Sequence, residues 1–298
     1  MGVMDSRPVG VFDSGVGGLT VLHECLVTMP NEDFVYLGDH ARLPYGPRPL
    51  EEIRRFAREI GAYLEQQDVK LILVACNAAT SAALPRLQEE LTVPVVGVIT
   101  PEAHAAVQAT RNRRVGLLAT AATVEAGRYA ELVHALDAGI SFHQVACPLL
   151  VPLIEGDDPY GEETERAVRD YAAPLQAEGV DTVILGCTHY PLIRKIFERV
   201  FGRDVTLVFS AEETAREVAE TLARKGVENE RGREGAYRFL TTGDPEAFRE
   251  LGRRFLQLPV REVEHVTVAT LEAASVAGRA GDARPEDRAP AASGGAAA

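Results

Sequence analysis

Short apolar segments alternate with amphipathic stretches along nearly the whole chain. Blocks of apolar or β-branched residues, each bounded by turn residues, predict eight strands that are covered on both faces. These strands are Val9–Phe12, Phe34–Gly38, Leu71–Ala75, Val95–Val98, Val115–Ala119, Ser141–Val145, Thr182–Gly186 and Thr206–Phe209. The stretches between them predict helices, among them Leu50–Glu65, Ser81–Leu91, Glu163–Gln176 and Ala211–Lys225. This alternation predicts an α/β fold in which parallel sheets are flanked by helices.

Two pairs of similar segments predict that the chain is built from two related lobes. Val69–Cys76 and Val180–Cys187 share one pattern without a gap, and Arg7–Ser14 parallels Arg113–Thr120. Each half therefore carries one strand that ends in a hydroxyl residue and another that ends in cysteine. Buried strands can resemble one another by chance, but two matches in the same order favour two similar α/β lobes.

Two cysteines stand where predicted strands end, and ligands of open parallel sheets gather at such ends. Cys76 is followed by Asn-Ala-Ala-Thr, and Cys187 by Thr-His-Tyr-Pro. A lone cysteine at a strand end is more often a small buried apolar residue than a catalyst. Two thiols at equivalent points of two lobes, both followed by polar residues, favour a catalytic pair. Cys25 and Cys147 lack such surroundings and are predicted to lie in the core.

Two further turns follow predicted strands. Gly10–Gly18 is rich in glycine, but it matches neither nucleotide-binding pattern and places Asp13 where a phosphate would sit. Asp13 either forms a polar turn with Ser14 or caps the next helix, and the sequence leaves both open. The Pro-rich loop Gly38–Pro47 either presents a ligand-binding turn at Tyr45–Gly46 or serves only as a rigid connection.

Composition and charge restrict the classes of partner. The chain has 298 residues, 46% of them apolar, and a net charge of −13, which argues against nucleic acid or an acidic membrane surface as the main partner. No apolar run approaches the ~20 residues of a membrane span, and the N-terminus carries no secretory signal. Four cysteines without a C-x-x-C pair indicate a reducing cytoplasm rather than disulfides or a metal site.

Thiols are acid/base groups only if the thiolate is stabilised, because a free thiol has a pKa of ~8.5. A helix N-terminus supplies ~0.3–1 kcal/mol of that stabilisation, and up to ~2 kcal/mol when it is partly buried. Asp13 and His189 can supply the remaining stabilisation, because a carboxylate or an imidazole can accept the thiol proton. Two thiols on opposite sides of a carbon atom can remove its proton from one face and return one to the other. None of the three lysines stands at a strand end, so the sequence predicts this inversion without pyridoxal phosphate, metal or other cofactor.

The four strand-end turns together resemble one known family, the cofactor-independent glutamate racemases. They read F-D-S-G-V-G-G, G-D-x-A-R-x-P-Y-G, A-C-N and G-C-T-H-Y-P-L, in this order. The resemblance implies that Cys76 and Cys187 interconvert L- and D-glutamate and so supply D-glutamate for peptidoglycan. It also implies two lobes with the active site in the cleft between them. The first lobe would comprise residues 1–100 and 209–272, and the second residues 101–208.

The same resemblance assigns further residues. Glu155 would join Asp13 and His189 in assisting proton transfer. The residues that would bind the substrate are Asp13, Ser14, Tyr45, Gly46, Asn77, Ala78, Thr120, Thr123, Thr188 and His189. Ala78 stands where the family usually carries a hydroxyl residue, so its contact would be through the backbone N–H. His40 stands where the family usually carries threonine, next to the Tyr45 loop.

The sequence leaves alternatives open for the function and the assembly. A racemase for another small acid such as aspartate, an amino-acid-binding protein on the same scaffold, and a redox dithiol that joins Cys76 to Cys187 are the rival functions. A homodimer is one of the assemblies that the resemblance allows. After Ala273 the chain contains Ala, Gly, Pro, Arg and acidic residues without aromatics, which predicts a disordered tail over residues 273–298.

Overall fold

The structure is a computed structural model that describes residues 5–229 and 232–281. Its strands are β1 Val9–Asp13, β2 Phe34–Gly38, β3 Leu71–Val74, β4 Val95–Gly97, β5 Arg114–Ala119, β6 Ser141–Ala146, β7 Thr182–Gly186, β8 Thr206–Phe209, β9 Tyr237–Thr241 and β10 Val263–His265. Its helices are α1 Leu19–Thr28, α2 Leu50–Gln66, α3 Asn77–Glu90, α4 Ile99–Ala109, α5 Ala121–Ala126, α6 Arg128–Leu136, α7 Leu150–Glu155, α8 Glu162–Ala177, α9 Arg194–Phe201, α10 Ser210–Lys225, α11 Pro245–Leu256 and α12 Val268–Gly281. Within these described ranges, no helix is both long and apolar enough to cross a bilayer.

The strands form two parallel sheets. One has the strand order β10-β9-β2-β1-β3-β4, and the other has the order β6-β5-β7-β8. Helices flank both sheets, so the predicted α/β class with two similar lobes is confirmed. The strands of the first sheet come from residues 9–97 and 237–265, and those of the second from residues 114–209. The lobe boundaries at residues 100 and 209 stay a prediction.

The repeated segments occupy matching places in the two sheets. β1 pairs with β3 in the centre of the first sheet, and β5 pairs with β7 in the centre of the second. β1 and β5 derive from one pair of similar segments, and β3 and β7 from the other. Because all these strands are parallel, their carboxyl ends lie together at one edge of each sheet. The turns that carry the two cysteines therefore follow equivalent central strands.

All eight strands predicted from apolar blocks are present, with ends that differ by about one residue. β9 and β10 were not predicted, because β9 opens with two exposed residues and β10 has only three. Helix α3 begins at Asn77 rather than at Ser81. The alanines directly after Asn77 are good helix formers, and their small side chains fit the buried start of this helix.

Helix α12 corrects part of the predicted tail. It packs along α2, with Leu271 and Ala274 buried, and the side-chain amide of Gln66 donates a hydrogen bond to the Ala274 carbonyl at 3.2 Å. The prediction of disorder is wrong for residues 273–281, because an alanine-rich segment has high helix propensity and this one finds a helix to pack against. Residues 282–298 of the predicted tail lie outside the described residues.

Candidate active site

A cavity of about 160 Å³ lies at the carboxyl ends of both sheets. Its walls come from the turns that follow β1, β2 and β3 of one sheet and β5, β6 and β7 of the other. Ten of the residues singled out in the sequence line it, namely Ser14, Tyr45, Gly46, Cys76, Asn77, Ala78, Thr120, Cys187, Thr188 and His189. The two cysteines of equivalent turns therefore face one enclosed space from different sheets.

Cys76 lies in a strongly buried setting between β3 and α3. Burial raises the pKa of its thiol, and the nearby Asp13 carboxylate raises it further, while hydrogen bonds from Ala79 and Ser14 act in the opposite direction. The thiol remains protonated at neutral pH, because burial is the largest of these effects. In the free protein, Cys76 is thus equipped to donate a proton.

Cys187 has a different set of neighbours. Its sulfur lies 3.8 Å from Nδ1 of His189, whose Nε2 lies 2.8 Å from Oε1 of Glu155. Burial alone would lower the pKa of His189, but the hydrogen bonds to Cys187 and Glu155 outweigh it and raise that pKa to about 10. Burial would raise the pKa of Glu155, yet the bond to His189 holds it below its usual value. An imidazolium held in this way stabilises a thiolate beside it.

The turn after β1 leaves space for the His189 ring. A Cβ atom on Gly17 would lie 2.5 Å from Nδ1 of His189 and 2.5 Å from Oγ1 of Thr188, a distance that real side chains do not tolerate. On its other side the His189 ring meets Phe255 edge to face, with ring centroids 5.2 Å apart. A glycine at position 17 is therefore required for the imidazole to stand between Cys187 and Glu155.

Asp13 forms a polar turn and does not cap the following helix. Its Oδ2 accepts a hydrogen bond from the backbone N–H of Gly15 at 3.0 Å, whereas α1 begins only after Gly18. Asp13 is fully buried and lies behind Cys76 rather than in the cavity wall. Its Oδ1 has no hydrogen-bond partner among the described residues, so one carboxylate oxygen can accept a further hydrogen bond.

The loop after β2 is held by a buried ionic network. Asp39 accepts hydrogen bonds from Arg42 Nε at 2.6 Å, from Thr242 Oγ1 at 2.8 Å and from the Tyr45 hydroxyl. Arg42 also pairs with Glu59. Tyr45 lines the cavity, but its hydroxyl is already engaged inside the protein. The D-x-A-R-x-P-Y sequence therefore builds a rigid loop that also contributes Tyr45 to the cavity wall.

Replacing Asp39 with alanine is expected to destabilise the protein by about 3–5 kcal/mol, because it removes one of the two carboxylates that pair with the buried Arg42 and the acceptor of the Thr242 and Tyr45 hydroxyls. Urea denaturation followed by circular dichroism measures this loss. Glu264→Ala is the matched control, because Glu264 forms an ion pair with Arg238 at the surface, and such pairs contribute about 0–1 kcal/mol. Equal free-energy losses in the two variants would contradict a role for this network in holding the loop.

Besides Asp13, two more predicted substrate-binding or assisting residues lie just behind the cavity wall. Thr123 is fully buried and its Oγ1 lies 3.0 Å from Oγ1 of Thr120, which does line the cavity. Glu155 touches the cavity only through His189. Both therefore stand one residue away from a ligand in this cavity.

Cys147 belongs to both the core and the cavity wall. Cys25 and Cys147 are buried in the core as predicted, and Cys147 also lines the cavity. Burial raises the pKa of the Cys147 thiol to about 12, so this thiol stays protonated. The sequence carries a signal for this position, because Cys147 and Pro148 follow the predicted strand Ser141–Val145 after one residue, Ala146.

The remaining wall of the cavity is apolar. Its residues are not singled out by the sequence alone, and they are Leu43, Pro44, Pro47, Ala121, Pro148, Val151 and Pro152. They belong to the loop after β2, the turn after β6 and the first residues of α5 and α7, and the folding of these segments over the sheet edge cannot be predicted from hydrophobic periodicity. Apolar walls exclude water and strengthen the electrostatic interactions inside. Across the part of the chain that the structure describes, no three His, Cys, Asp or Glu side chains form a metal-ligand group.

The chain is similar to known proteins in both sequence and structure. The family model for Asp/Glu/hydantoin racemases matches residues 21–218. A glutamate racemase from Parafrankia is 46% identical over 277 residues, which cover 93% of this chain and 100% of that protein. The structure is also similar to the crystal structure of a glutamate racemase isoform from Bacillus anthracis, with a TM-score of 0.85, 39% identity, and coverage of 88% of this chain and 98% of that one.

A third similarity concerns a protein with a bound ligand. The glutamate racemase from Francisella tularensis, solved in complex with D-glutamate, has a TM-score of 0.83 and 33% identity to this chain. The match covers 89% of this chain and 98% of that protein. In each of these three cases the matched region spans both sheets, because it takes in nearly nine tenths of this chain or more.

Proposed function

The chain belongs to the Asp/Glu/hydantoin racemase family, and we propose that it is a cofactor-independent glutamate racemase in which Cys76 and Cys187 act as the two acid/base groups. The observation that carries the proposal is the position of these two cysteines, which follow equivalent strands of separate sheets and line the same cavity. The glutamate racemase relatives support glutamate as the substrate.

The surroundings of the two thiols suit opposite roles in one turnover. Cys187, as a thiolate beside the His189 imidazolium, takes the proton from Cα of one enantiomer, and a carbanion forms. Cys76, as a thiol, gives its proton to the opposite face of the carbanion and becomes a thiolate. The product has inverted configuration, with one C–H bond broken and one formed. The reverse reaction starts from the enzyme with a Cys76 thiolate and a Cys187 thiol, and Asp13 and the His189–Glu155 pair exchange these protons with water.

Apart from the His189 imidazolium and the Cys187 thiolate, the cavity offers neutral groups for the charges of glutamate. Among the described residues, no lysine or arginine lines it. We assign the carboxylates to the backbone N–H groups at the start of α3, including that of Ala78, and to the hydroxyls of Ser14, Thr120 and Thr188. A helix N-terminus carries a partial positive charge, which also stabilises the negative charge that develops next to Cα.

Incubation with L-glutamate in heavy water tests the proposal. We expect the protein alone, without added pyridoxal phosphate, to yield D-glutamate that carries one deuteron at Cα, since the incoming proton comes from a thiol in equilibrium with solvent. Chiral chromatography with mass spectrometry measures both quantities. Unlabelled glutamate after long incubation of either enantiomer would reject glutamate racemisation.

A panel of enantiopure amino acids separates glutamate from its rivals. We expect glutamate to have the highest kcat/KM, and a clear preference for aspartate would reject the substrate assignment. Mass spectrometry after alkylation in reducing buffer should find Cys76 and Cys187 reduced, because a lasting disulfide between them is incompatible with proton transfer. In the cell we assign the activity to the cytoplasm, where it would supply D-glutamate for peptidoglycan, and we keep the homodimer as a proposal.

A further inference from the structure

A buried polar cluster stands directly behind the cavity wall and is not used by the proton transfer described above. It consists of Asn77 at the start of α3, Glu102 in α4 and Tyr129 in α6. All three side chains are almost completely buried. Asn77 lines the cavity, whereas Glu102 and Tyr129 do not. The cluster therefore touches the cavity through one residue.

The hydrogen bonds of the cluster determine how the Asn77 amide is oriented. Its Nδ2 donates to Oε2 of Glu102 at 3.0 Å and to the hydroxyl oxygen of Tyr129 at 2.8 Å. The Tyr129 hydroxyl in turn donates to Glu102 Oε2. Because Glu102 Oε2 and the Tyr129 hydroxyl are bonded to each other, both acceptors lie on the same side of Nδ2, and together they hold the nitrogen end of the amide toward α4 and α6. Oδ1 of Asn77 is buried and has no hydrogen-bond partner among the described residues.

We propose that Glu102 and Tyr129 are positioning residues, which lock the Asn77 amide so that its Oδ1 accepts a hydrogen bond from the α-ammonium group of the substrate. A buried carbonyl oxygen without a partner is unfavourable until a ligand supplies a donor. Nδ2 of the amide is already held by Glu102 and Tyr129, so turning the N–H groups toward the cavity would cost these two hydrogen bonds. The proposal rests on the proposed function, because it takes an amino acid as the ligand.

The charge state of Glu102 favours a positioning role over a direct ionic contact between its carboxylate and the substrate. No ion pair between described residues includes Glu102, and burial raises its pKa to about 8. The carboxyl group is therefore mostly neutral at pH 7, and Oε2 accepts the hydrogen bonds from Asn77 and Tyr129. A neutral group behind the wall adds no negative charge beside the carbanion and the thiolates, whose formation such a charge would oppose.

A double-mutant cycle between Glu102 and Asn77 tests the proposal. Glu102→Met removes the acceptor at similar side-chain volume, and we expect it to raise KM for both enantiomers by roughly 10- to 100-fold while kcat changes by less than about 3-fold. Asn77→Ala is expected to raise KM at least as much. Because Glu102 acts through Asn77, adding Glu102→Met to the Asn77→Ala variant should change KM no further.

Conservative variants separate positioning from folding. Glu102→Gln keeps an acceptor oxygen for Asn77 and Tyr129, so we expect a KM within about 3-fold of the unchanged protein, whereas Tyr129→Phe should raise KM as Glu102→Met does. Thr164→Val is the control for loss of a buried polar group outside the cavity, and it should leave KM unchanged. Additive KM effects in the cycle, equal KM values for the Gln and Met variants, or an effect confined to kcat would each overturn the proposal.

The same double-mutant cycle can be measured by substrate binding, without any catalytic reaction. Calorimetry gives dissociation constants for L- and D-glutamate, and the expected pattern of fold-changes is the same as that for KM. If the unchanged protein binds glutamate but introduces no deuterium, the proposed racemisation fails while the calorimetric cycle still decides the role of Glu102. If deuterium is introduced and the cycle is additive, only the positioning role fails.

Discussion

Alanine in place of Cys76 or Cys187 is expected to lower kcat for racemisation by on the order of 10³- to 10⁴-fold in both directions. Each thiol serves one face of Cα, and inversion needs both faces within one turnover. L- and D-glutamate have equal free energies in water, so kcat/KM must be the same from either side for every variant. The loss of one thiol therefore cannot affect racemisation of only one enantiomer.

Exchange of the α-hydrogen, unlike racemisation, can distinguish the two thiols. A variant that keeps only Cys187 can still remove and return the proton of the enantiomer whose Cα–H points toward Cys187, and a variant that keeps only Cys76 can do so for the other. We expect slow deuterium incorporation without inversion, into opposite enantiomers in the two variants. Nuclear magnetic resonance of each enantiomer in heavy water measures this exchange.

Cys25→Ala is the matched control for these variants, because Cys25 is a buried thiol in the core and does not line the cavity. It should retain kcat close to that of the unchanged protein. Incorporation into the same enantiomer by both single-thiol variants would contradict the assignment of one thiol to each face. Racemisation by either variant at the unchanged rate would reject the two-thiol mechanism altogether.

The sequence predicts this fold well where structure is local. Apolar blocks such as Phe34–Gly38 and Thr182–Gly186 coincide with whole strands, since a strand buried on both faces must be apolar throughout. β9 was missed because it begins with exposed residues, which periodicity does not separate from a loop. Helix α12 was missed because alanine-rich composition is shared by helices and disordered tails, and only the contact with α2 decides between them.

The candidate site also has residues that the sequence predicts and contacts that it does not. Cys76 and Cys187 could be found because each directly follows a predicted strand, and strand ends of parallel sheets converge. The His189–Glu155 contact joins residues 34 positions apart, with α8 and β7 between them, so no spacing rule predicts it. The cluster behind Asn77 is still less predictable, because Glu102 and Tyr129 belong to helices whose packing depends on the whole fold.

Removal of the imidazole in a His189→Asn variant is expected to lower kcat/KM by on the order of 10²- to 10³-fold, the second largest effect after loss of a thiol. His189 lies 3.8 Å from the Cys187 sulfur and is positively charged at neutral pH, because Cys187 and Glu155 raise its pKa to about 10. Without that charge, the Cys187 thiolate loses its stabilising partner in a buried site. Asparagine fills similar space and leaves the backbone turn intact, so thermal unfolding should change little.

Glu155→Gln tests the same relay through its pH dependence. The Glu155 carboxylate helps to raise the pKa of His189, and an amide in its place is expected to bring that pKa down. If the imidazolium is the active form, activity is present below the pKa of His189 and is lost as the pH rises through it. We therefore expect the alkaline limb of kcat/KM to move to lower pH in Glu155→Gln, with a smaller loss at neutral pH than in His189→Asn. An unchanged alkaline limb would show that Glu155 does not act through His189, and an effect of Glu155→Gln that adds fully to His189→Asn would lead to the same conclusion.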